Sequence, residues 1–165
     1  MKKTFTKIFS ICLAVVMMLC AFSAQAAGKI DYDAALKAAR KCVPSGSKVV
    51  DYEWDKEDNE WDFEFVTKDK KRDYDVKVNG TSGKVKEADM EVRHVKKTKT
   101  YKISKKKAQS IVKKYFKNVT IKSTKKATDD GCKVYKVRFT TPKYKGKAHV
   151  HGKTGKVIEW EKDFY

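Results

Sequence analysis

The sequence lacks the residue patterns that mark the common catalytic and nucleotide-binding sites. No serine stands in a Gly-x-Ser-x-Gly elbow, and no glycine-rich phosphate-binding loop precedes a predicted helix. The pairs Gly80/Gly83 and Gly152/Gly155 lie between predicted strands, where glycine serves in turns. We therefore expect a protein that is not an enzyme and that uses no cofactor.

Arginine is scarce, with 4 residues against 35 lysines. Arginine is the side chain that reads guanine and grips phosphate with two hydrogen bonds, so its scarcity argues against sequence-specific nucleic-acid binding. The formal net charge of +18 is divided unevenly along the chain. Residues 27–95 carry 14 basic and 16 acidic residues, whereas residues 96–165 carry 22 basic and 5 acidic residues.

The basic second part predicts attraction to a polyanion. An exported cation meets anionic wall polymer, lipid head groups or acidic proteins, and exposed lysines are drawn to all of them. The lysines expected to take part are Lys105, Lys106, Lys107, Lys143, Lys145 and Lys147.

Metal-binding patterns are weak. His149 and His151 are two residues apart on a predicted strand and so share a face, but three neighbouring lysines would repel a metal ion. Residues 55–59 are acidic, yet they lack the glycine and the bidentate glutamate of a calcium loop, and they predict a hairpin turn. We expect no metal site.

Residues 1–26 have the pattern of a signal peptide. Three lysines precede an apolar stretch, residues 8–22, that is too short to span a bilayer comfortably, and residues 24–26 (Ala-Gln-Ala) form a cleavage pattern. Leu19, which precedes Cys20, is larger than the residue a lipid-anchor signal requires. The sequence predicts a secreted or cell-envelope protein with no transmembrane segment after signal cleavage.

Cysteine is sparse in the part that remains. Cys12 and Cys20 lie in the predicted signal, which leaves Cys42 and Cys132, one in each half of the chain. An exported protein permits a disulfide between Cys42 and Cys132, and two separate buried thiols are the alternative, which the narrow distance window of a disulfide favours.

What the sequence does contain is a repeat. Residues 79–85 (Asn-Gly-Thr-Ser-Gly-Lys-Val) recur as residues 151–157 (His-Gly-Lys-Thr-Gly-Lys-Val), and residues 30–35 recur less closely as residues 103–108. A nearly constant offset over several elements indicates two copies of one folding unit. We assign residues 27–95 to the first copy, residues 96–102 to an exposed connector, and residues 103–165 to the second, strongly basic copy.

Each copy predicts one helix followed by strands. Asp31 and Ser104 stand at helix N-cap positions before apolar residues at helical spacing, and the period then changes to two. The predicted strands lie near residues 48–54, 60–67, 72–78, 84–91, 120–127, 132–141, 146–151 and 156–162. Clean alternation is typical of an antiparallel sheet covered on one side. The predicted fold class is α+β, with two tandem copies of one helix packed on a small antiparallel β-sheet.

Two tryptophans are candidates for a binding face. Trp54 lies in the first predicted strand of one copy, and Trp160 lies in the last predicted strand of the other. Large aromatic side chains at exposed sheet positions often anchor protein partners, while packing beneath the helix is the alternative.

The pattern of each copy resembles the PepSY domain family. The features that carry the resemblance are the strand Tyr74-Asp75-Val76-Lys77-Val78 and the turns Thr81-Ser82-Gly83-Lys84-Val85 and Lys153-Thr154-Gly155-Lys156-Val157. Asn79 and His151 stand where the family usually has an aspartate, and Gly146 stands near the place of the strand tyrosine. The tandem arrangement is also similar in architecture to beta-lactamase inhibitory protein.

The resemblance implies a non-enzymatic binding module. PepSY units occur in the propeptides of thermolysin-type metallopeptidases and in exported bacterial proteins, where peptidase inhibition or regulation has been proposed. The expected partner is thus an exported peptidase or cell-envelope enzyme. The alternative is a surface-adhering protein that holds to anionic wall polymer or lipid through its basic second copy.

Overall fold

The computed structural model of the chain describes residues 28–165, so the predicted signal peptide lies outside the described residues. In this part, one helix followed by four strands occurs twice. The helices are α1 (Tyr32–Ala39) and α2 (Lys105–Tyr115). The strands are β1 (Lys48–Asp55), β2 (Glu60–Val66), β3 (Arg72–Asn79), β4 (Val85–Val92), β5 (Thr120–Asp129), β6 (Cys132–Thr140), β7 (Tyr144–His151) and β8 (Val157–Phe164). Neither helix is long and apolar enough to cross a membrane.

All eight strands belong to one antiparallel sheet, in the order β1-β2-β3-β4-β8-β7-β6-β5. The predicted pair of separate small sheets, each beneath its own helix, is therefore wrong, although the α+β class holds broadly. Strand β4 pairs with β8 from Glu87↔Asp163 to Glu91↔Glu159. Each copy would otherwise end in an edge strand with unpaired peptide groups, and joining the two edges satisfies them. Alternation shows which side chains face the core, but it does not show which edges meet.

The two copies are related by an approximate two-fold axis through the β4–β8 seam. The sequence offset of 72 that relates Asn79 to His151 also relates Asp89 to Glu161, and these two residues are direct partners in the β4–β8 register. The axis therefore passes between Asp89 and Glu161. The sheet places equivalent acidic positions of both copies side by side.

Both helices cover the same face of the sheet, and the core beneath them is continuous across the seam. Met90 of β4 is opposite Trp160 of β8, so the two side chains share this face. The Trp160 ring lies 6.0 Å from the Tyr74 ring and 6.2 Å from the Phe116 ring, which joins the two copies. We call this covered side the helix face and the opposite side the open face.

The two helices begin as their sequences predict. The Asp31 carboxylate accepts a hydrogen bond from the Ala34 backbone N–H at 2.8 Å, and the Ser104 hydroxyl accepts one from the Lys107 N–H at 3.1 Å. These contacts satisfy amide groups that have no partner within the helix.

The repeated glycine turn anchors the start of each helix. The Gly80 carbonyl accepts a hydrogen bond from the Ile30 N–H at 2.7 Å, and the Gly152 carbonyl accepts one from the Ile103 N–H at 3.1 Å. The motif therefore has a structural role in both copies, because it ties the last hairpin of the copy to its helix.

The segment between the copies is hydrogen-bonded to the second copy. Lys96, Lys97 and Lys99 are exposed, whereas Thr98 is buried. The Thr98 carbonyl accepts a hydrogen bond from the Lys133 N–H at 2.7 Å.

Candidate functional site

The open face carries rows of acidic side chains across the first copy and β8. One row is unbroken over five strands, because each residue is the register partner of the next: Asp51, Glu64, Asp75, Asp89 and Glu161. We call these five residues the acidic row. Like charges that face each other across strands are destabilising, so the row is unfavourable for folding by itself.

The two carboxyl groups at the centre of the acidic row, Asp75 and Asp89, have raised pKa values. Burial raises the pKa of Asp89 to about 7, and the neighbouring Glu87 and Glu161 carboxylates add to the rise. The pKa of Asp75 is raised by burial and then by the charge of Glu64. A cation brought close to such a carboxyl group stabilises its charged form and lowers its pKa.

One carboxylate of the open face is neutralised. Glu60 is only 3% exposed, and its oxygens contact the ammonium groups of Lys77 and Lys86. Burial raises the pKa of Glu60, but the hydrogen bonds and the positive charges of Lys86 and Lys77 together outweigh burial and leave that pKa lowered. Glu60 therefore forms structural ion pairs with Lys77 and Lys86 at the edge of the acidic rows.

Beyond β8 the open face becomes basic. Lys145 lies 3.3 Å from Asp163, and Lys147 contacts Glu161, so these two lysines neutralise carboxylates of the adjacent strand. Arg138 is the next residue along the same line, opposite Lys147. The open face is thus acidic over β1–β4, paired at β7–β8 and basic over β6.

The lysines that the sequence offers for polyanion binding do not form one patch. Lys105, Lys106 and Lys107 are exposed in the first turn of α2, which lies on the helix face. Lys145 and Lys147 lie on the open face in ion pairs, and Lys143 belongs to the turn before β7. The two groups therefore occupy opposite sides of the sheet.

The two candidate tryptophans occupy the helix face. Trp54 is half-buried, with the Lys29 ammonium 3.6 Å from its ring centroid and the Trp61 ring at 5.3 Å. Trp160 is 3% exposed, and the Lys162 ammonium lies 3.9 Å from its ring centroid. Trp160 thus has no free surface to offer a partner, while Trp54 presents one edge beside Lys29.

Both cysteines of the described chain are free thiols. Cys42 follows α1, where burial raises the pKa of its thiol and the charges of Lys162 and Lys41 oppose that rise. Cys132 is buried at the start of β6, opposite Asp129.

The acidic turn after β1 is a hairpin turn, as its composition predicts. The Asp55 carboxylate accepts hydrogen bonds from the backbone N–H groups of Glu57 at 2.8 Å and Asp58 at 3.0 Å. This local bonding is the ordinary role of aspartate at the start of a turn.

The histidines that share a face in β7 have different surroundings. His151 takes the place of Asn79 in the repeated turn, since its Nδ1 accepts from the backbone N–H groups of Lys153 at 3.3 Å and Thr154 at 3.1 Å. Its Nε2–H then donates to the Lys96 carbonyl at 2.9 Å. Both ring nitrogens of His151 are therefore occupied by the backbone.

His149 is buried, and it lies between two carboxylates that are not its neighbours in the sequence. Its Nδ1 atom is 2.8 Å from Asp129 Oδ2 and 2.7 Å from Glu159 Oε2. Asp129 ends β5 and Glu159 lies in β8, so only the strand register brings them to one histidine. No local pattern in the sequence could have shown this cluster.

Comparison with known proteins identifies the repeated unit. The family described as the peptidase propeptide and YPEB domain, PepSY, matches residues 29–88 and again residues 102–161. No curated protein matches the chain.

Solved structures with partial likeness include three bacterial proteins. A putative lipoprotein from Clostridium difficile 630 is 22% identical with a TM-score of 0.37, over 82% of this chain and 95% of that one. The Bacillus megaterium YpeB C-terminal domain is 16% identical with a TM-score of 0.34, over 84% and 67%. A cysteine-rich secretory protein from Staphylococcus aureus subsp. aureus Mu50 is 13% identical with a TM-score of 0.37, over 87% and 47%.

The two domain matches together cover well over half of the sequence, and each includes one helix and most of the four strands that follow it. The chain belongs to the PepSY family and contains two tandem PepSY domains.

Proposed function

We propose that the protein is an exported, non-enzymatic binding module that regulates a peptidase or another cell-envelope enzyme through the open face of its sheet. Membership of a family described by peptidase propeptides supports the partner class. The open face supports the location, because the helices leave it uncovered and it carries the acidic row.

The observation that carries this proposal is the repulsion at the centre of the acidic row. Asp75 and Asp89 are direct partners, and the pKa values of both carboxyls are raised. Places where a protein keeps a locally unfavourable arrangement are often functional sites. A partner that presents a basic surface relieves the repulsion, and the relief adds to the binding free energy.

The test uses the exported chain without residues 1–26 and a secreted thermolysin-type metallopeptidase. Binding is measured by calorimetry and peptidase activity is followed in parallel. The double variant Asp75→Asn/Asp89→Asn should weaken binding at least tenfold, because it removes the centre of the row. The matched control Lys113→Gln/Lys114→Gln also changes two charges, but it lies on α2 and should bind as the parent chain does.

The proposal fails if neither the metallopeptidase nor the other exported enzymes bind the chain or change in activity. A loss of binding in the α2 control equal to that in the row variant would move the interface to the helix face.

A second candidate function is adhesion to anionic wall polymer or lipid. It is favoured by the lysines of α2, because among the described residues none of the five takes part in an ion pair: Lys105, Lys106, Lys107, Lys113 and Lys114. Exposed cations without partners are free to meet an anionic surface.

This second candidate is tested by co-sedimentation of the exported chain with anionic vesicles and with insoluble wall polymer. Binding should be lost in Lys105→Gln/Lys106→Gln/Lys107→Gln and kept in the row variant. It should also be released by salt, since exposed charges are screened beyond about 8 Å at physiological ionic strength. Retention that salt does not affect would contradict electrostatic adhesion.

A further inference from the structure

His149 is the one buried titratable side chain of β7 whose ring is not occupied by the backbone. It is 2% exposed, and its Nδ1 lies within 2.8 Å of carboxylate oxygens of both Asp129 and Glu159. The three ligand-type atoms of this cluster all lie within 4.8 Å of one another. One nitrogen and two oxygens thus converge on one point from three strands.

The contacts of His149 lack the direction of hydrogen bonds. Neither ring nitrogen has a hydrogen-bond partner in the described chain, although the two oxygens are close enough. Such short contacts fail as hydrogen bonds through their angle, so the two oxygens flank the Nδ1 axis instead of lying on it. Oxygens that share a metal ion with a histidine flank its nitrogen in this way, because the ion occupies the axis.

The spacing is close to that of metal ligands. Ligands bonded at about 2.1 Å to one ion lie roughly 3.0 Å apart at right angles and roughly 3.4 Å apart in a tetrahedron. The His149–oxygen distances of 2.7 and 2.8 Å would need to open by about 0.2–0.3 Å for ligands at right angles and by about 0.6–0.7 Å for a tetrahedron.

The nearby lysines do not occupy the point of convergence. Lys136 approaches Asp129 at 3.5 Å, but it contacts Oδ1, whereas the oxygen that faces His149 is Oδ2. Two of the three lysines that the sequence placed beside His149 are engaged elsewhere, since Lys145 pairs with Asp163 and Lys147 pairs with Glu161. These ion pairs reduce the repulsion that argued against a metal ion, while the charge of Lys136 remains beside Asp129.

An opening leads to the cluster from the solvent. A cleft of about 340 Å³ is lined by both carboxylate residues of the cluster, Asp129 and Glu159, by Glu91, and by the ion pair of Asp73 with Arg93; Lys97 also lines it. Glu91 is also the register partner of Glu159, which adds negative charge beside the cluster. The two carboxylate residues of the cluster are thus reached from the solvent through this cleft.

We propose that Asp129, His149 and Glu159 bind a divalent transition-metal ion of the zinc class. One imidazole nitrogen and two carboxylate oxygens are borderline and hard donors, which suits zinc better than the oxygen-only sites of calcium and magnesium. Three protein ligands with a fourth position open to the cleft form a site that binds an ion and leaves it accessible. The site would tie β5 to β7 and β8 within the second domain.

The experiment measures zinc binding by the exported chain without residues 1–26, in a Cys42→Ser/Cys132→Ser background that excludes binding through thiols. Calorimetry in a non-chelating buffer and metal analysis after dialysis should give one tightly held zinc ion per chain. Cobalt used as a spectroscopic substitute should show the absorption of a low-symmetry nitrogen–oxygen site. Calcium and magnesium should not compete at equal concentration.

Two variants remove ligands and two serve as controls. His149→Gln and Glu159→Gln should each weaken zinc binding at least a hundredfold. Asp163→Asn removes a carboxylate from the other acidic trio of the described chain, Glu87, Glu161 and Asp163, and should bind zinc as the parent does. His94→Gln removes the exposed histidine that lines the cleft and should also have no effect.

Each outcome decides the proposal. Circular dichroism and melting curves confirm that each variant is folded, and Glu159→Gln keeps the test valid if His149→Gln does not fold. Zinc binding that survives in both ligand variants would overturn the proposal. So would loss of binding through removal of the thiols alone, or the absence of binding at micromolar zinc, which would leave His149 as a buried side chain between two carboxylate groups.

Discussion

At the scale of one residue, Asp89 shows how the pairing of β4 with β8 changes the pKa of a carboxyl group on the open face. It lies beside the two-fold axis, opposite Glu161 and next to Asp75 in the acidic row. Burial raises the pKa of Asp89 to about 7, with the charges of Glu87 and Glu161 as further causes. In the unfolded chain none of these neighbours is fixed near it.

The raised pKa gives Asp89 a defined effect on stability. Below about pH 4 the carboxyl is protonated in both states, so it has no effect there. Between about pH 4 and 7 the folded state keeps a proton that the unfolded state has lost, so stability falls as the pH rises. Above pH 7 the destabilisation is complete.

Asp89→Asn should therefore stabilise the protein at pH 8 by about 1–2 kcal/mol, after allowance for solvent screening, and have little effect near pH 4. Urea unfolding at several pH values measures this difference. Asp51→Asn, at the exposed end of the same row, is the control and should change stability by only a few tenths of a kcal/mol. An unchanged pH dependence in Asp89→Asn would contradict the assignment.

Gly146 explains one departure from the family pattern. It stands at the position of Tyr74 in the first domain, and an added Cβ would lie 2.6 Å from Cζ of Phe139. The Phe139 ring thus fills the space that the missing side chain would need.

Gly146→Ala should destabilise the protein by about 1–3 kcal/mol, because the added methyl group forces the buried Phe139 ring to move. Thermal unfolding measures the loss. Gly28→Ala is a suitable control, since a Cβ there meets nothing within 4 Å. Equal melting temperatures for the two variants would show that Phe139 does not pack as described.

The role of a residue could be predicted where it depends on neighbours in the sequence. Asp31 and Ser104 cap helices, and the acidic residues after β1 form a turn, because each role depends on neighbours in the sequence. The partners of His149 could not be predicted, since Asp129 and Glu159 reach it only through the register of β7 and β8 and through the end of β5.

At the scale of elements, α2 has an unfavourable first turn. Residues 105–107 are all lysines, and no acidic residue lies in this turn. The partial positive charge at a helix N-terminus repels these lysines, whereas Lys113 and Lys114 in the last turn are favourable.

Lys107→Glu should stabilise the protein by about 0.5–1 kcal/mol, because it removes this repulsion and completes a capping box with Ser104. Lys113→Glu makes the same charge change at the other end of α2 and should be neutral or destabilising. Chemical unfolding of both variants checks the prediction. Stabilisation by both would indicate a general effect of net charge and not of the helix end.

The strands themselves were predictable to within a few residues, because alternation with period two is a local signal. The C-terminal end of helix α1 was less predictable. Apolar spacing continues to Val43, but the helix ends at Ala39, and hydrogen bonds from Lys41 and Cys42 to the Ala38 and Ala39 carbonyls turn the chain. The apolar side chains of Cys42 and Val43 still pack against the core, although these residues follow the end of the helix.

At the scale of the whole molecule, the sequence predicted the repeat but not the way in which the copies join. β4 and β8 have the composition of ordinary last strands, and nothing in either marks it as a central strand. Their pairing converts two edges into the middle of one sheet and makes the acidic row continuous from β1 to β8. The proposed open-face interface depends on this continuity.

The continuous sheet is the central claim, and backbone amide hydrogen exchange tests it directly on the chain without residues 1–26 and without substitutions. We predict that amides of β4 and β8 exchange as slowly as those of β2, β3, β6 and β7, while amides on the outer sides of β1 and β5 exchange fastest. Two separate sheets would leave β4 and β8 as edges. Exchange in β4 and β8 as fast as in β1 and β5 would therefore contradict the account.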